Sequence, residues 1–205
     1  MDPTLRLYLV RHGETAWSLT GQHTGLTDLP LTAQGEQMAR ALAPVLGRLR
    51  FSHVLCSPRL RACSTCAGAG LATTAGIVPD LAEWDYGDYE SLRTHEIRER
   101  RPGWDIWRDG CPAGETPAAV SVRADRLIDA LQALSGNVAL FSHGQFGRAL
   151  AARWIGLKVE EGSRFVLDPA SVSILGLDGE HALRRVIALW NAGPNAGLGA
   201  SLAPT

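Results

Sequence analysis

Leu5-Arg6-Leu7-Tyr8-Leu9-Val10-Arg11-His12-Gly13 is the stretch on which the fold turns. A short, mostly apolar run stops at an arginine, a histidine and a glycine, the pattern of a buried strand ending at a turn. The pattern recurs where His53-Val54-Leu55-Cys56 runs into Ser57-Pro58-Arg59-Leu60-Arg61, and where Asn137 to Ser142 runs into His143-Gly144. Helical periodicity fills the intervals. Residues 32–49 carry Thr32 as a cap and a stripe of Met38, Leu42, Val45 or Leu46, and Leu49. Ser57-Pro58 reads as a cap and first turn opening a helix over Arg59 to Leu71. Thr116-Pro117 starts a long helix with Val120, Leu127, Leu131 and Leu134 on one stripe, and Gly144 to Trp154 is helical again. Phe165–Leu167, Val172–Leu177 and Leu183–Trp190 read as shorter strands parted by Asp168-Pro169 and Asp178-Gly179 turns. Strands alternating with helices predict an α/β fold: a three-layer sandwich whose mainly parallel central sheet is flanked by helices, with an antiparallel pair near the end.

The region 80–115 breaks the rhythm. It is rich in Trp, Tyr, Arg, Asp and Glu with little apolar period, and reads as an excursion over the sheet carrying a short helix near Thr94 to Arg100. A chain of 205 residues, 45% hydrophobic and 20% charged, suits one domain, placed at residues 1–192, with a loose Gly-, Pro- and Ala-rich tail at 193–205. A net charge of −1 argues against a nucleic-acid partner. No apolar run approaches the roughly 20 residues of a membrane span, and the first residues lack a secretion-signal layout. Cys56, Cys63, Cys66 and Cys111 include one Cys-x-x-Cys spacing with no second pair for zinc, so they read as reduced thiols in a cytoplasmic protein. On base rate alone the expected assembly is a homodimer.

The three strand ends matter because parallel α/β sheets build their binding crevice at the carboxyl ends of their strands. If these strands are neighbours, Arg11, His12, Arg61 and His143 converge, and two guanidiniums with two imidazoles near helix N-termini suit a dianion. A metal is the competing use of the histidines. Neither has a second ligand at helical spacing, and the arginines would repel a cation, so neither metal nor other cofactor is expected.

Arg11-His12-Gly13-Glu14-Thr15-Ala16-Trp17, Gly21-Gln22-His23-Thr24-Gly25-Leu26-Thr27-Asp28-Leu29-Pro30-Leu31-Thr32, Ser57-Pro58-Arg59-Leu60-Arg61-Ala62 and Ser142-His143-Gly144 resemble, in order and spacing, the histidine phosphatase superfamily, which includes the cofactor-dependent phosphoglycerate mutases. The resemblance spans about residues 5 to 156. It implies a phosphoglycerate mutase-like fold in which His12 attacks phosphorus and carries the phosphoryl group, while Arg11, Arg61 and His143 hold its oxygens. It implies substrate contacts at Ser18, Thr24, Gly25, Tyr86 and Gly144. Its proton donor is a carboxyl group in the segment matching Leu81 to Glu90. Glu83 is the choice, expected beside an apolar Trp with a raised pKa, and Glu14 is the residue expected to brace Arg61 or a backbone turn. Opposed protonation demands on His12 and Glu83 predict a bell-shaped pH profile with an optimum on the acid side of neutrality.

Departures steer the reading toward hydrolysis. Ser18 stands where many members, the mutases included, have Asn, and Glu83-Trp84-Asp85-Tyr86-Gly87-Asp88-Tyr89-Glu90 replaces the longer mutase segment. With Trp104 to Thr116, these features are similar to a branch containing sedoheptulose-1,7-bisphosphatase-like enzymes and bacterial acid phosphatases. The expectation is a metal-independent phosphatase for small phosphorylated metabolites, sugar phosphates or bisphosphates among them. The alternatives are a cofactor-dependent phosphoglycerate mutase and a phosphoprotein or phosphohistidine phosphatase. Trp104 and Trp107 read as packing or as a pocket wall; Arg98, Arg100, Arg101 and Arg108 read as surface charge or contacts to a second phosphate.

Overall fold

The run at residues 5–10 is apolar on consecutive positions because both faces of its strand are covered. Leu5, Leu7 and Leu9 point into one core and Tyr8 and Val10 into another, all at most 1% exposed. The computed structural model describes residues 2, 4–179 and 183–194. In it β1 (Arg6–Arg11) lies between β4 (Asn137–Ser142), parallel to it, and β5 (Val172–Asp178), antiparallel to it. The parallel strands β2 (His53–Cys56) and β3 (Ala75–Ile77) extend the sheet on one side, and antiparallel β6 (Arg184–Ala192) on the other. The order is β3-β2-β4-β1-β5-β6.

One face of the sheet carries α2 (Ala33–Leu46) and α3 (Leu60–Gly68), which pack Leu42, Leu46, Ala62 and Cys66 against Val10, Val54 and Phe141. The opposite face carries α6 (Pro117–Leu131) and α7 (Gly144–Trp154), with Val120, Leu127, Phe146 and Leu150 against Leu7, Leu9 and Leu140. These are the three layers expected. The segment 80–115 adds α4 (Thr94–Arg100), where the short helix was expected, and one-turn α5 (Ile106–Asp109). Its Trp84, Ile97, Trp104 and Trp107 join the α6/α7 core, so the segment is packed rather than draped. Arg123 of α6 ties it down, with Nε and Nη2 on the Glu115 carboxylate at 2.8 and 2.7 Å and Nη1 on the carbonyls of Asp80 and Ala82.

Register sets the site. Arg11 pairs with Ser142 and Cys56 with Phe141, so His12, His143 and Ser57 leave the sheet side by side at one edge.

Several sequence expectations need correction. Phe165–Leu167 is no strand; it follows a 3-10 turn over Val159–Arg164 and is held through side chains, Trp190 donating Nε1–H to Val166 O. Strand β3 went unread because Ala75-Gly76-Ile77 has no apolar pattern to show. Helix α2 ends at Leu46, where Gly47 caps it, instead of reaching residue 49. Helix α3 is shorter than Arg59 to Leu71 and is not capped by Ser57, since Arg59 occupies the N-cap position. The hydroxyl of Ser57 is engaged by His143. From residue 195 onward the expected tail lies outside the described residues.

Candidate active site

His12 stands at the end of β1 with its ring 5% exposed, and Nδ1 lies 2.7 Å from Gly13 O. A carbonyl oxygen only accepts, so Nδ1 carries the hydrogen and the lone pair rests on Nε2. Burial, then the charges of Arg61 and Arg11, hold this imidazole well below the ordinary histidine pKa, and it stays neutral. The loop is held tightly. Gly13 N donates to Thr65 Oγ1 at 2.9 Å, and a Cβ on Gly13 would fall 2.5 Å from Gly35 O at the start of α2. Only glycine permits that approach.

Arg61, one residue into α3, is 1% exposed and heavily committed. Nε donates to His143 Nδ1 at 3.1 Å, Nη1 to Thr27 O at 3.0 Å, and Nη2 to the carbonyls of Thr24 and Gly25 at 2.8 and 3.1 Å. Because His143 Nδ1 accepts, its Nε2 bears the hydrogen and donates to Ser57 Oγ at 2.7 Å. The two imidazoles, centroids 5.2 Å apart, therefore hold opposite tautomers. Burial and the neighbouring Arg61 keep His143 neutral as well.

Glu83 enters from the 80–115 segment. Its Oε1 accepts the N–H groups of Trp84 (2.9 Å) and Phe146 (2.7 Å), and Oε2 accepts that of Gln145 (3.0 Å). Gln145 and Phe146 belong to the first turn of α7, whose N-cap His143 makes no side-chain capping bond. Glu83 thus caps α7 from another part of the chain, and three backbone donors surround its carboxylate where an apolar Trp wall was expected.

A cleft of about 200 Å³ opens over His12, lined among others by Arg11, Glu83, Tyr86, Gly144, Gln145 and Arg148. Arg11 donates Nη1 to Leu167 O, while its Nε is buried without a partner. Gly144 lets that guanidinium close in, since a Cβ there would lie 3.2 Å from Arg11 Nε. Tyr86 stacks on His23 at 4.6 Å, and both line the cleft. Burial pushes the Tyr86 phenol well above its usual pKa and lowers His23 to about 4.

Ser18 and Thr24 also line the cleft, but Ser18 spends its one hydrogen on Thr15 O at 3.0 Å within the cap of α1 (Ala16–Thr20). Gly25 lies behind Arg61, its N–H on the Glu90 carboxylate. Glu14 accepts from Thr32 Oγ1 at 2.7 Å and braces the start of α2. Trp104 and Trp107 are buried and support the wall: Trp104 edges onto His23, and Trp107 lies under Arg148 with the guanidinium 5.0 Å from its ring. Arg101 and Arg108 pair with Asp109, and Arg98 donates Nε to Trp104 O, none of them lining the cleft.

Arg148, Gln145 and His23 are cleft residues that the sequence reading did not assign. Arg148 was legible in principle, since it falls one helical turn after Gly144, to whose carbonyl it donates Nε at 3.2 Å. Among the described residues no group of three or more His, Cys, Asp or Glu side chains is placed to hold a metal, and no helix is long and apolar enough to cross a membrane.

Residues 7–192 match the family described as histidine phosphatase superfamily (branch 1). The chain is 47% identical over 192 residues to an acid phosphatase of Mycobacterium tuberculosis, covering 92% of this chain and 93% of that protein. It is 40% identical over 190 residues to sedoheptulose 1,7-bisphosphatase of Saccharomyces cerevisiae, covering 77% of this chain and 70% of that one. The solved structure of an open reading frame product of Mycobacterium tuberculosis superposes with a TM-score of 0.87 at 43% identity, over 93% of this chain and 98% of that chain.

Proposed function

This chain belongs to branch 1 of the histidine phosphatase superfamily and is a phosphatase, and from that premise we propose that it hydrolyses small phosphorylated metabolites, sugar phosphates and bisphosphates among them, through a phosphohistidine on His12. The observation that carries the proposal is the bond from His12 Nδ1 to Gly13 O, which leaves a neutral Nε2 lone pair beside Arg11 and His143. Nε2 attacks phosphorus and the ester oxygen departs in line. Arg11, on the cleft wall with an unpartnered Nε, meets the equatorial oxygens, His143 Nε2–H turns from Ser57 Oγ to join it when phosphate arrives, and the Arg61 charge, held behind both by its bonds to His143 and three carbonyls, backs them.

Glu83 serves the leaving group. In the free protein its carboxylate faces three N–H donors, an arrangement suited to the anion. Glu83 gives a proton to the departing alkoxide and later withdraws one from water. No step requires a metal, and Arg11, Arg61 and Arg148 together disfavour a cation there. Arg148 also favours the finer substrate reading, a metabolite with a second anionic group within reach of its guanidinium. The names of two relatives, an acid phosphatase and a sedoheptulose bisphosphatase, agree with hydrolysis of such esters. The compartment proposed is the cytoplasm, in keeping with four free thiols.

The test is a quench of labelled substrate with the enzyme, followed by mapping of acid-labile phosphate, together with a metabolite screen in the presence of EDTA. Label on His12 and phosphate release without metal are expected. Robust turnover by a folded His12→Ala protein overturns the proposal. A coupled assay with 2,3-bisphosphoglycerate separates hydrolysis from mutase transfer.

A further inference from the structure

Behind the phosphate site lies a cluster of thiols that the chemistry above leaves unused. Cys56, the last residue of β2, has its Sγ 3.8 Å from Cys63 Sγ, and neighbouring Cys66 together with burial pushes the Cys56 thiol pKa up. Cys56 and Cys66 are 1% exposed, whereas Cys63 is partly exposed, and all are free thiols. Their positions border the site on both sides. Cys56 precedes Ser57, whose hydroxyl takes the hydrogen of His143 Nε2. Cys63 donates Sγ–H to Ser57 O at 3.3 Å and sits two residues after Arg61.

We propose that Cys56 and Cys63 form an oxidation site at which a hydroperoxide makes a disulfide that unseats Arg61 and switches the enzyme off. Cys63 is the thiol that oxidant can reach. As a thiolate it attacks a peroxide oxygen; the S–O bond forms, the O–O bond breaks, and with hydrogen peroxide the hydroxide leaves as water with the thiol proton. Cys56, already in contact, then attacks the sulfur of the resulting sulfenic acid. The S–S bond forms, the S–O bond breaks, and the Cys56 proton departs with the hydroxyl as a second water. Two thiols and one hydrogen peroxide give one disulfide and two waters, the sulfurs losing two electrons and the peroxide gaining them.

The effect on Arg61 follows from distance. A disulfide needs its sulfurs about 2.05 Å apart, so the 3.8 Å contact must close by nearly half. β2 is pinned between β3 and β4, so the first turn of α3 is the side that gives. Arg61 in that turn makes four hydrogen bonds of 2.8 to 3.1 Å at once, to His143 and three carbonyls. A displacement of about 0.5 Å already spoils such a constellation. The Cys63 bond to Ser57 O is lost with it, loosening the partner of His143.

The full-length protein is treated with hydrogen peroxide and followed three ways: non-reducing peptide mass mapping, p-nitrophenyl phosphate hydrolysis, and calorimetric binding of inorganic phosphate. A Cys56–Cys63 cross-link is expected, accompanied by a tenfold or greater loss of hydrolysis and of phosphate affinity, both restored by dithiothreitol. Cys63→Ser, or Cys63→Ala should the serine fail to fold, resists peroxide, while Cys111→Ser remains as sensitive as the parent. A cross-link that spares phosphate binding, inactivation of the Cys63 variants at the parental rate, or a bond to Cys66 in place of Cys63 overturns the proposal. The cross-link and the phosphate affinity report even if the enzyme hydrolyses no ester, so failure of the phosphatase reading is seen separately.

Discussion

Arg61 donates its Nε–H to Nδ1 of His143 at 3.1 Å, and that bond fixes the tautomer of the second imidazole of the candidate site. A guanidinium never accepts, so His143 bears its hydrogen on Nε2 and gives it to Ser57 Oγ. His12 is set the other way round, by the Gly13 carbonyl that takes the hydrogen of its Nδ1. The two rings thus hold opposite tautomers and are neutral in both cases, which is the division that the proposed mechanism uses.

Replacing Arg61 by lysine tests that division. A single ammonium cannot reach His143 and the carbonyls of Thr24, Gly25 and Thr27 together. Arg61→Lys is expected to lose about 10²–10³ in kcat/KM, the scale for removing a charge-matched donor. Melting should fall by several degrees, because buried carbonyls lose their partners. Steady-state kinetics and a thermal melt decide it; activity within threefold of the parent would refute the role.

Glu83→Gln separates proton donation from helix capping. The amide keeps one acceptor, but its NH2 meets an N–H of α7 where a carboxylate oxygen stood, so some stability is lost, of order 1 kcal/mol. Catalysis should suffer selectively. An alkyl phosphate, whose alkoxide must be protonated, is expected to lose at least about 10², the scale of general acid catalysis, while p-nitrophenyl phosphate, whose phenolate leaves unaided, loses far less in the first step. Burst kinetics with the two esters make the comparison, and equal losses would sink the assignment.

The parts legible in the sequence were those with a repeating physical signal. Apolar runs that end in Arg11-His12, Ser57 and Ser142-His143 announced both the parallel strands and the edge at which they open. Ala75-Gly76-Ile77 carried no such signal, being three residues long on the sheet edge. Phe165–Leu167 carried a false one, since its apolar side chains serve a side-chain-held segment. Glu83 does line the cleft, but its surroundings were not legible, because two of its three donors come from α7, about sixty residues along. Ser18 reads as a phosphate ligand from its place in the motif, yet its hydrogen is drawn into a local cap. Arg148 lies outside the motifs and His23, though inside one, had no role attached to it; the packing of Trp107 and Tyr86 brings them to the cleft.

Arg148 should sort substrates by charge. Its guanidinium is moored by Gly144 O and Phe165 O, both at 3.2 Å, and rests over Trp107 on the cleft wall. An arginine held so firmly gives up little entropy on meeting an anion. Arg148→Gln is expected to lower kcat/KM for a sugar bisphosphate about tenfold more than for the matching monophosphate, mainly through KM. Equal effects on both substrates would remove the second-anion reading and leave Arg148 as packing.

Stability should fall in mild acid, for a reason that His12, His23 and His143 share. His12, His23 and His143 each lie below the ordinary value of 6.5, with burial the first cause in every case, and His23 is lowered to about 4. In the unfolded chain each would titrate near 6.5, so below that pH the unfolded state binds protons that the native state refuses. Stability is therefore full above about pH 6.5 and declines as pH falls toward the native values; the His23 share is spent by about pH 4, and the shares of His12 and His143 continue lower. Urea midpoints measured from pH 7.5 to 4 should drop steadily across that window. His23→Gln, which cannot charge, should drop less steeply, while the pH-independent part of its stability reports the lost stacking on Tyr86. Midpoints that stay level from pH 7 to 4 would mean that these rings take up protons in the folded protein, and the neutral nucleophile at His12 would go with them.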